Sequence, residues 1–231
     1  MRPRISVVTC VSDSRVYEKN VASSLSAADV ELLPVDNRGN RFSAAQALNR
    51  GWEKAGGEMV VFCHQDIVFP SGWVERLVGQ VEAVERRCRG NWGVAGTFGR
   101  RGEEWLGHVQ DRHGHRCLGA LPTEVETLDE HCLVVRRDLG LRFDPGLPGY
   151  HLYGVDLCLE CMIRGHPNYA LDCCVTHLGY GAKGEDYRRI RRVLERKWRA
   201  RRWKLRGGRR IPAKVYGPNG RLRFGLRSSS L

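Results

Sequence analysis

Three polar residues, His64, Gln65 and Asp66, follow directly on the apolar run at positions 59–63. A carboxylate held at the end of a buried strand can bind a hard divalent cation, and such a cation can hold a diphosphate. The same residues also fit an ordinary buried strand followed by a polar turn. Two interpretations, a metal site and a turn, therefore stay open at this point.

The run at 59–63 is too short for a lone helix and is typical of a strand buried on both faces of a parallel α/β sheet. In the first half of the chain, segments with strand patterns alternate with segments that have helical spacing. The pattern predicts strands at 5–10, 30–35, 59–63 and 92–98, and helices at 16–25, 44–55 and 70–84. Alternation of this kind favours a parallel sheet with crossover helices, in which ligands bind beyond the carboxyl ends of the strands.

The second half is less regular. We expect strands at 125–128, 132–136 and 169–175, and helices at 155–164 and 185–205. The Gly-, Arg- and His-rich segment 99–122 is typical of loops or short strands. We expect a loop at 141–151 and a loose chain beyond the glycines that end the last helix.

Several short motifs then occur in a characteristic order. They are the first strand at 5–10, the acidic end of the second strand at 35–37, Asn49 and Gly51, Gly57 and Glu58, the triplet 64–66, the triplet 154–156, and His177. Together they resemble the GT-A glycosyltransferases, specifically the family 2-like group of single-domain inverting enzymes. The resemblance covers most of the chain. It departs from the family pattern at His64, where D-x-D has its first acid, and at Val155, where a Glu is usual.

The resemblance implies a fold and a domain division. The fold is an α/β GT-A (Rossmann-like) three-layer αβα sandwich with a mostly parallel central sheet, plus a basic C-terminal helical extension. The expected division is a GT-A-like domain at 1–182 and a basic helix and tail at 183–231.

The resemblance also implies a nucleotide-sugar site. Asp36 would accept a hydrogen bond from the nucleotide base, and Thr9 and Cys10 would contact the nucleotide through backbone groups. Asp36 also fits a simple turn with the following Asn37. The donor is expected to be a nucleotide-diphosphate sugar, with UDP as a guess from the family.

The implied metal ligands are Asp66 and His177, with His64 assisting the metal or contacting the diphosphate. Imidazole suits manganese better than magnesium, so Mn²⁺ is favoured over Mg²⁺. His177 fits equally well as an ordinary histidine at a strand end.

The implied general base is Asp156, which would deprotonate the acceptor hydroxyl in a single, inverting displacement. It also fits an acid favoured by a helix N-terminus. Asp129, Glu130, His151 and Tyr153 are weaker candidates for the acceptor side, and the two acids are equally well explained as solvated loop residues.

The positive charge is concentrated at one end of the chain. The net charge is +12, yet residues 183–231 carry 18 Lys and Arg against 3 acids, a net of +15, which leaves the remainder at −3. The predicted helix at 185–205 mixes an apolar stripe with many Arg residues, as do helices that lie on anionic lipid. That placement would suit a lipid-linked acceptor, and a polysaccharide acceptor is the other possibility. Packing of the stripe on the body is slightly favoured over membrane contact.

No apolar run approaches the ~20 residues that span a bilayer, and the N-terminal segment lacks the features of a secretory signal. We therefore expect a cytoplasmic protein, with peripheral contact at the inner membrane surface left open. Two alternatives to an active enzyme stay open as well. One is an inactive GT-A-like nucleotide-binding protein, suggested by His64 and Val155. The other is a nucleic-acid-binding protein, which is disfavoured because no reader motif accompanies the basic tail.

The nine cysteines are an odd number. Cys158 and Cys161 form a C-x-x-C within a predicted helix, and no second pair follows at zinc-ribbon spacing. Reduced and mostly buried thiols are therefore favoured over structural zinc.

Overall fold

A computed structural model describes residues 3–179, 184–201, 214–217 and 220–224. Its strands are β1 (Ile5–Val11), β2 (Glu31–Asp36), β3 (Met59–Cys63), β4 (Ile67–Val68), β5 (Val94–Gly96), β6 (Phe98–Arg101), β7 (Glu104–Asp111), β8 (Gly114–Leu118), β9 (Thr123–Val125), β10 (Thr127–Leu128), β11 (Cys132–Arg136), β12 (Asn168–Ala170), β13 (Thr176–His177), β14 (Lys214–Gly217) and β15 (Gly220–Arg223). Its helices are α1 (Ser14–Tyr17), continued by a π-helical turn (Glu18–Ala22), then α2 (Ala44–Lys54), α3 (Trp73–Cys88), α4 (Tyr153–Ile163) and α5 (Glu185–Arg201), with 3₁₀ turns at Arg38–Asn40 and Arg137–Leu139.

The central sheet has seven strands in the order β2-β1-β3-β11-β5-β12-β9. Strands β1, β2, β3, β5 and β12 run in one direction, while β11 and β9 run in the other. Because β11 is antiparallel to β3, with Cys132 opposite Cys63, the residues just before β11 lie at the edge where β3 ends. This reversal brings the segment at 129–131 beside the triplet at 64–66.

The two faces of the sheet support separate apolar cores. Successive side chains of a strand point to opposite faces, so Val7 and Val61 pack with α1 and α3, whereas Val8 and Val60 pack with α2, α4 and α5. This is the predicted three-layer αβα sandwich.

Helix α2 shows why the Asn49 and Gly51 motif has its spacing. A Cβ on Gly51 would lie 2.2 Å from Cγ1 of Val8, so only glycine lets the helix approach β1 this closely. Two residues earlier, the Asn49 amide donates to the carbonyl of Phe143 at 2.8 Å and accepts from the Phe143 N–H at 3.1 Å. The helix begins with a capping box, in which Ser43 and Gln46 exchange hydrogen bonds.

A second sheet has the strand order β10-β6-β7-β13-β4, with β8 paired to β7. The segment 99–122, expected to be loops or short strands, supplies most of it. Within it, β7 buries Leu106 and Val109, whereas every residue of β8 is at least partly exposed. A period-two pattern was therefore hard to read from the sequence.

Helix α5 packs its apolar stripe against the body: Tyr187, Ile190, Leu194 and Trp198 are all buried. The described residues beyond it also belong to this core, since β14 pairs with β15 and both Val215 and Leu222 are fully buried. The expectation of a loose chain after the helix is wrong for these residues. The predicted helix end at 202–205 lies outside the described residues.

Within the described part of the chain, each helix lacks either the length or the apolar character needed to cross a bilayer.

Candidate active site

A cavity of about 300 Å³ opens at the carboxyl ends of β1 and β3. Its lining includes the expected site residues Cys10, His64, Asp66, Asp129, Glu130, His151, Tyr153 and His177, together with Ser12, Cys63, Gln65 and Tyr150. Residues from five separate segments of the sequence therefore meet where a parallel strand pair ends, as expected for a ligand site in an α/β sheet.

His64, Asp66 and His177, which were expected to bind or assist a metal, lie close together. One potential ligand atom from each lies within 4.8 Å of the others. Pairing of β13 with β4 places His177 opposite Ile67, and the Leu178 N–H donates to the carbonyl of Asp66 at 3.1 Å. Nε2 of His177 then lies 3.6 Å from Oδ1 of Asp66.

The hydrogen bonds of His64 leave one ring nitrogen for a cation. The Tyr153 hydroxyl donates to the backbone carbonyl of Glu130 at 3.3 Å, so it accepts from Nε2 of His64 at 3.0 Å. Nδ1 of His64 consequently carries a lone pair and lies 3.4 Å from Nε2 of His177. Burial lowers the pKa of His64 to about 4, and burial also lowers the pKa of His177, so both imidazoles are neutral at pH 7. Neutral imidazole is the form that binds metals.

Gly179 leaves room for the carboxylate of Asp66. A Cβ at position 179 would lie 2.2 Å from Oδ2 of Asp66 and 3.0 Å from Nε2 of His177. Sequence reasoning missed this residue, because the contact depends on how the chain turns after β13.

Asp129 and Glu130, the weak acceptor-side candidates, line the same cavity beside this cluster, since the His64 N–H donates to the carbonyl of His131 at 3.0 Å. Oδ1 of Asp129 is 3.1 Å from Nδ1 of His131, whose other nitrogen lies 2.6 Å from the Thr97 hydroxyl. Burial favours a raised pKa for Asp129, but the charge and hydrogen bond of His131 hold the pKa well below its ordinary value. Asp129 is therefore ionised, and its side chain is 31% exposed.

Glu130 differs sharply from its neighbour. It is buried, its Oε1 accepts from the Leu152 N–H at 2.8 Å, and its Oε2 has no hydrogen-bond partner among the described residues. Burial raises the pKa of Glu130 to about 8, with the charge of Asp129 adding to the rise. Leu152 is held at φ 66° next to this carboxyl, a strained backbone conformation beside the cavity.

Asp156 does not reach the cavity, which corrects the expectation that it is the general base. Its side chain is 5% exposed, and both carboxylate oxygens are engaged by α5. Oδ1 accepts from Nε1 of Trp198 at 2.8 Å, and Oδ2 accepts from Nζ of Lys197 at 2.7 Å. Lys197 also pairs with Asp144 at 2.7 Å. A carboxylate enclosed in this way has no path to an acceptor hydroxyl and instead fixes α5 to α4.

The nucleotide-side candidates are distributed unevenly. Cys10 lines the cavity, whereas Thr9 is buried within β1 with its hydroxyl 3.1 Å from Sγ of Cys63. Asp36 lies at the end of β2, outside the cavity lining, and is paired with Arg38 and Arg41.

Two residues to which the sequence assigned no role, Asn37 and Gln65, complete the nucleotide side. Buried Asn37 donates its amide to the Tyr150 hydroxyl at 2.9 Å and so fixes a cavity-lining ring to the end of β2. Gln65 accepts the N–H groups of Ser12 and Asp13 at 2.9 and 3.0 Å and holds the loop after β1. Their position among the polar residues at the ends of β1, β2 and β3 was the signal by which the sequence could have identified them.

Residues 3–139, more than half of the chain, match the family model described as glycosyl transferase family 2. The chain belongs to this family. It is also 31% identical over 214 residues, 86% of this chain and 84% of the relative, to the protein of Fuscovulum blasticum described as "ATP synthase subunits region ORF 6".

Solved structures confirm the predicted GT-A glycosyltransferase fold. GalNAc-T7, solved with UDP, GalNAc and Mn²⁺, aligns at a TM-score of 0.56 and 14% identity over 83% of this chain and 48% of its own. The mannosyltransferase PcManGT of Pyrobaculum calidifontis was solved with GDP-Man and Mn²⁺. It aligns at a TM-score of 0.56 and 14% identity over 92% of this chain and 67% of its own. Residues 1–349 of S. aureus TarS align at a TM-score of 0.53 and 12% identity over 84% of this chain and 65% of that structure. This chain thus spans about half the length of the GalNAc-T7 structure.

Proposed function

We propose that this family 2 member is a metal-dependent, inverting glycosyltransferase that moves a sugar from a nucleotide-diphosphate sugar to an acceptor hydroxyl. The observation that carries the proposal is the cluster of His64, Asp66 and His177 in a cavity that the ionised Asp129 also lines. Such an arrangement provides for both ends of a displacement at the anomeric carbon: a leaving diphosphate and an attacking hydroxyl.

The residues fit a divalent cation. Asp66 would supply a carboxylate oxygen, and His64 and His177 would supply neutral ring nitrogens. When bound, the cation neutralises the charge that grows on the departing diphosphate. A donor set with two imidazoles favours Mn²⁺ over Mg²⁺.

Asp129 replaces Asp156 as our candidate general base. It is ionised and partly exposed to the cavity, and His131 orients it, so it can take the proton of the acceptor hydroxyl as that oxygen attacks. Glu130 holds its own proton at neutral pH and is less suited to the role. Attack from the side opposite the diphosphate inverts the anomeric configuration.

The donor base and the acceptor are less defined. Asp36 and Cys10 lie at the ends of adjacent strands, where a nucleoside could extend from the cation, and a UDP-sugar is our first choice. Thr9 would contribute backbone contacts only. The acceptor would be lipid-linked or a polysaccharide, with His151 and Tyr153 as candidates for its side of the cavity.

Peripheral attachment to a membrane is a further part of the proposal. The apolar stripe of α5 is buried, so contact would depend on its exposed Arg188, Arg192, Arg196 and Arg199. Attachment of this electrostatic kind is expected to weaken with added salt.

A thermal-shift screen of nucleoside diphosphates, with and without Mn²⁺, tests the proposal. At a ligand concentration of about 100 times Kd, binding should raise Tm by about 5–10 °C. Asp66→Ala should remove the part of the shift that requires Mn²⁺. Absence of any shift with every nucleotide and metal would refute nucleotide-sugar binding.

Transfer is tested separately from binding. Asp129→Asn should keep the Mn²⁺-dependent nucleotide shift and lower donor turnover by about 10²–10⁴-fold. Undiminished turnover would reject Asp129 as the base. Nucleotide binding by the wild type with no turnover on any acceptor would favour the non-catalytic alternative.

A further inference from the structure

A second group of metal-ligating side chains lies on the other sheet, away from the cavity. Side chains of His108 on β7 and His115 on β8 meet across the hairpin, with Nε2 of one 2.7 Å from Nε2 of the other. Cys174, from the segment that joins β12 to β13, completes the group: one ligand atom from each residue lies within 4.8 Å of the others.

The contact between the two histidines requires either a proton or a cation. Nδ1 of His108 lies 2.5 Å from Oδ1 of Asp172, so this nitrogen donates and Nε2 carries a lone pair. Nε2 of His115 faces that lone pair and must donate a proton to it when no cation is present. A tetrahedral zinc ion at about 2.0–2.1 Å from each nitrogen would replace this proton and open their separation to about 3.3 Å.

Asp172, which contacts Nδ1 of His108, is itself held in place and so fixes the position of that ring. Asp172 pairs with the Arg76 guanidinium, and its backbone N–H donates to Gln80 at 2.9 Å. A carboxylate behind a histidine, with the other ring nitrogen turned to an ion, is the usual outer arrangement of zinc sites.

We infer that Nε2 of His108, Nε2 of His115 and Sγ of Cys174 bind a zinc ion, with the fourth position open to water. Binding releases the proton between the histidines and the thiol proton of Cys174. The ion would fasten the outer strand β8 to the segment at 172–174. The expectation of no structural zinc rested on the C-x-x-C pair, whereas this ligand set comes from three distant segments.

Nitrogen and thiolate donors distinguish this site from the one in the cavity. Two imidazoles and a sulfur suit zinc or cobalt, whereas Asp66, His64 and His177 offer no thiol, and the thiols that line their cavity belong to Cys10 and Cys63. Cobalt(II) substitution therefore provides a selective probe, because a thiolate ligand gives an intense charge-transfer band in the near ultraviolet.

The experiment uses the full chain, stripped of metal and titrated with Co²⁺ and then with Zn²⁺. The wild type should develop the thiolate band, and one equivalent of Zn²⁺ should abolish it. Cys174→Ser should remove the band, and His115→Ala and Asp172→Asn should each weaken Zn²⁺ affinity by about 10–100-fold. His113→Ala, on the same hairpin, is the matched control and should bind as the wild type does.

Two further variants keep the assignment open to refutation. Asp66→Asn disables the cavity cluster and should leave the thiolate band unchanged; its loss would place the cobalt in the cavity and overturn the inference. Cys117 also lies near His108 and Asp172. If Cys117→Ser removes the band while Cys174→Ser keeps it, the ligand set proposed here is wrong. A full band and unchanged Zn²⁺ affinity in both Cys174→Ser and His115→Ala would likewise reject it.

Discussion

Gly179→Ala is the sharpest test of the cavity metal site, since it adds a single methyl group to the backbone beside it. The new carbon would lie 2.2 Å from Oδ2 of Asp66, whereas ordinary contact begins at 3.4 Å. The carboxylate must therefore move by about 1 Å, and metal ligands tolerate only about 0.5 Å of misplacement. Because the clash involves the end of a rotatable side chain, the fold itself should adjust at little cost.

We expect Mn²⁺ affinity to fall by about 10–100-fold in Gly179→Ala, with an unfolding midpoint close to that of the wild type. Isothermal titration with Mn²⁺, in the presence and absence of UDP, measures the first quantity, and circular dichroism melting measures the second. Gly184→Ala is the matched control, since a Cβ there meets no described atom within 4 Å. Wild-type Mn²⁺ affinity in Gly179→Ala would refute a cation held by Asp66 beside His177.

Three further predictions concern stability. Lys197→Met leaves the buried Asp156 carboxylate without its cation and should cost about 3–5 kcal/mol in urea unfolding; a loss under 1 kcal/mol would show that Trp198 alone satisfies it. Gly51→Ala should cost about 1–3 kcal/mol because α2 must move away from β1, and an unchanged urea midpoint would contradict the close packing. The native state holds a proton on Glu130, so the wild type should lose stability as the pH rises from 4.5 to about 8, where the unfolded chain has already released it. Glu130→Gln should lack this part of the decline in melting curves against pH, and an identical pH profile would refute the raised pKa.

Much of the sandwich could be predicted because its strands and helices carry clear periodic patterns. The runs that became β1 and β3 are apolar on both faces, and α2 and α3 have distinct apolar sides. The sequence left 99–122 open between loops and short strands, because β8 is exposed along most of its length and shows little apolar alternation. The order of strands, and with it the reversal at β11, follows from packing between distant segments and leaves no local trace.

The candidate site was predicted unevenly for the same reason. Asp66 and His177 were identified from motif order, and the structure brings them together. Asp156 was misread because its role depends on Lys197 and Trp198, 41 and 42 residues away, which no local pattern connects to it. His131 and Gly179 act through spatial contacts that only the folded chain reveals.

The packing of Trp198 and Lys197 against α4 has a practical consequence for the design of shortened forms of the protein. A fragment that stops at residue 182 would expose the apolar surface that Ile190 and Leu194 cover. It would also leave the Asp156 carboxylate without its partners on α5, in apolar surroundings. Such a fragment should aggregate on expression rather than yield a minimal catalytic piece. Shortened versions intended for crystallisation should therefore be trimmed no earlier than the end of α5.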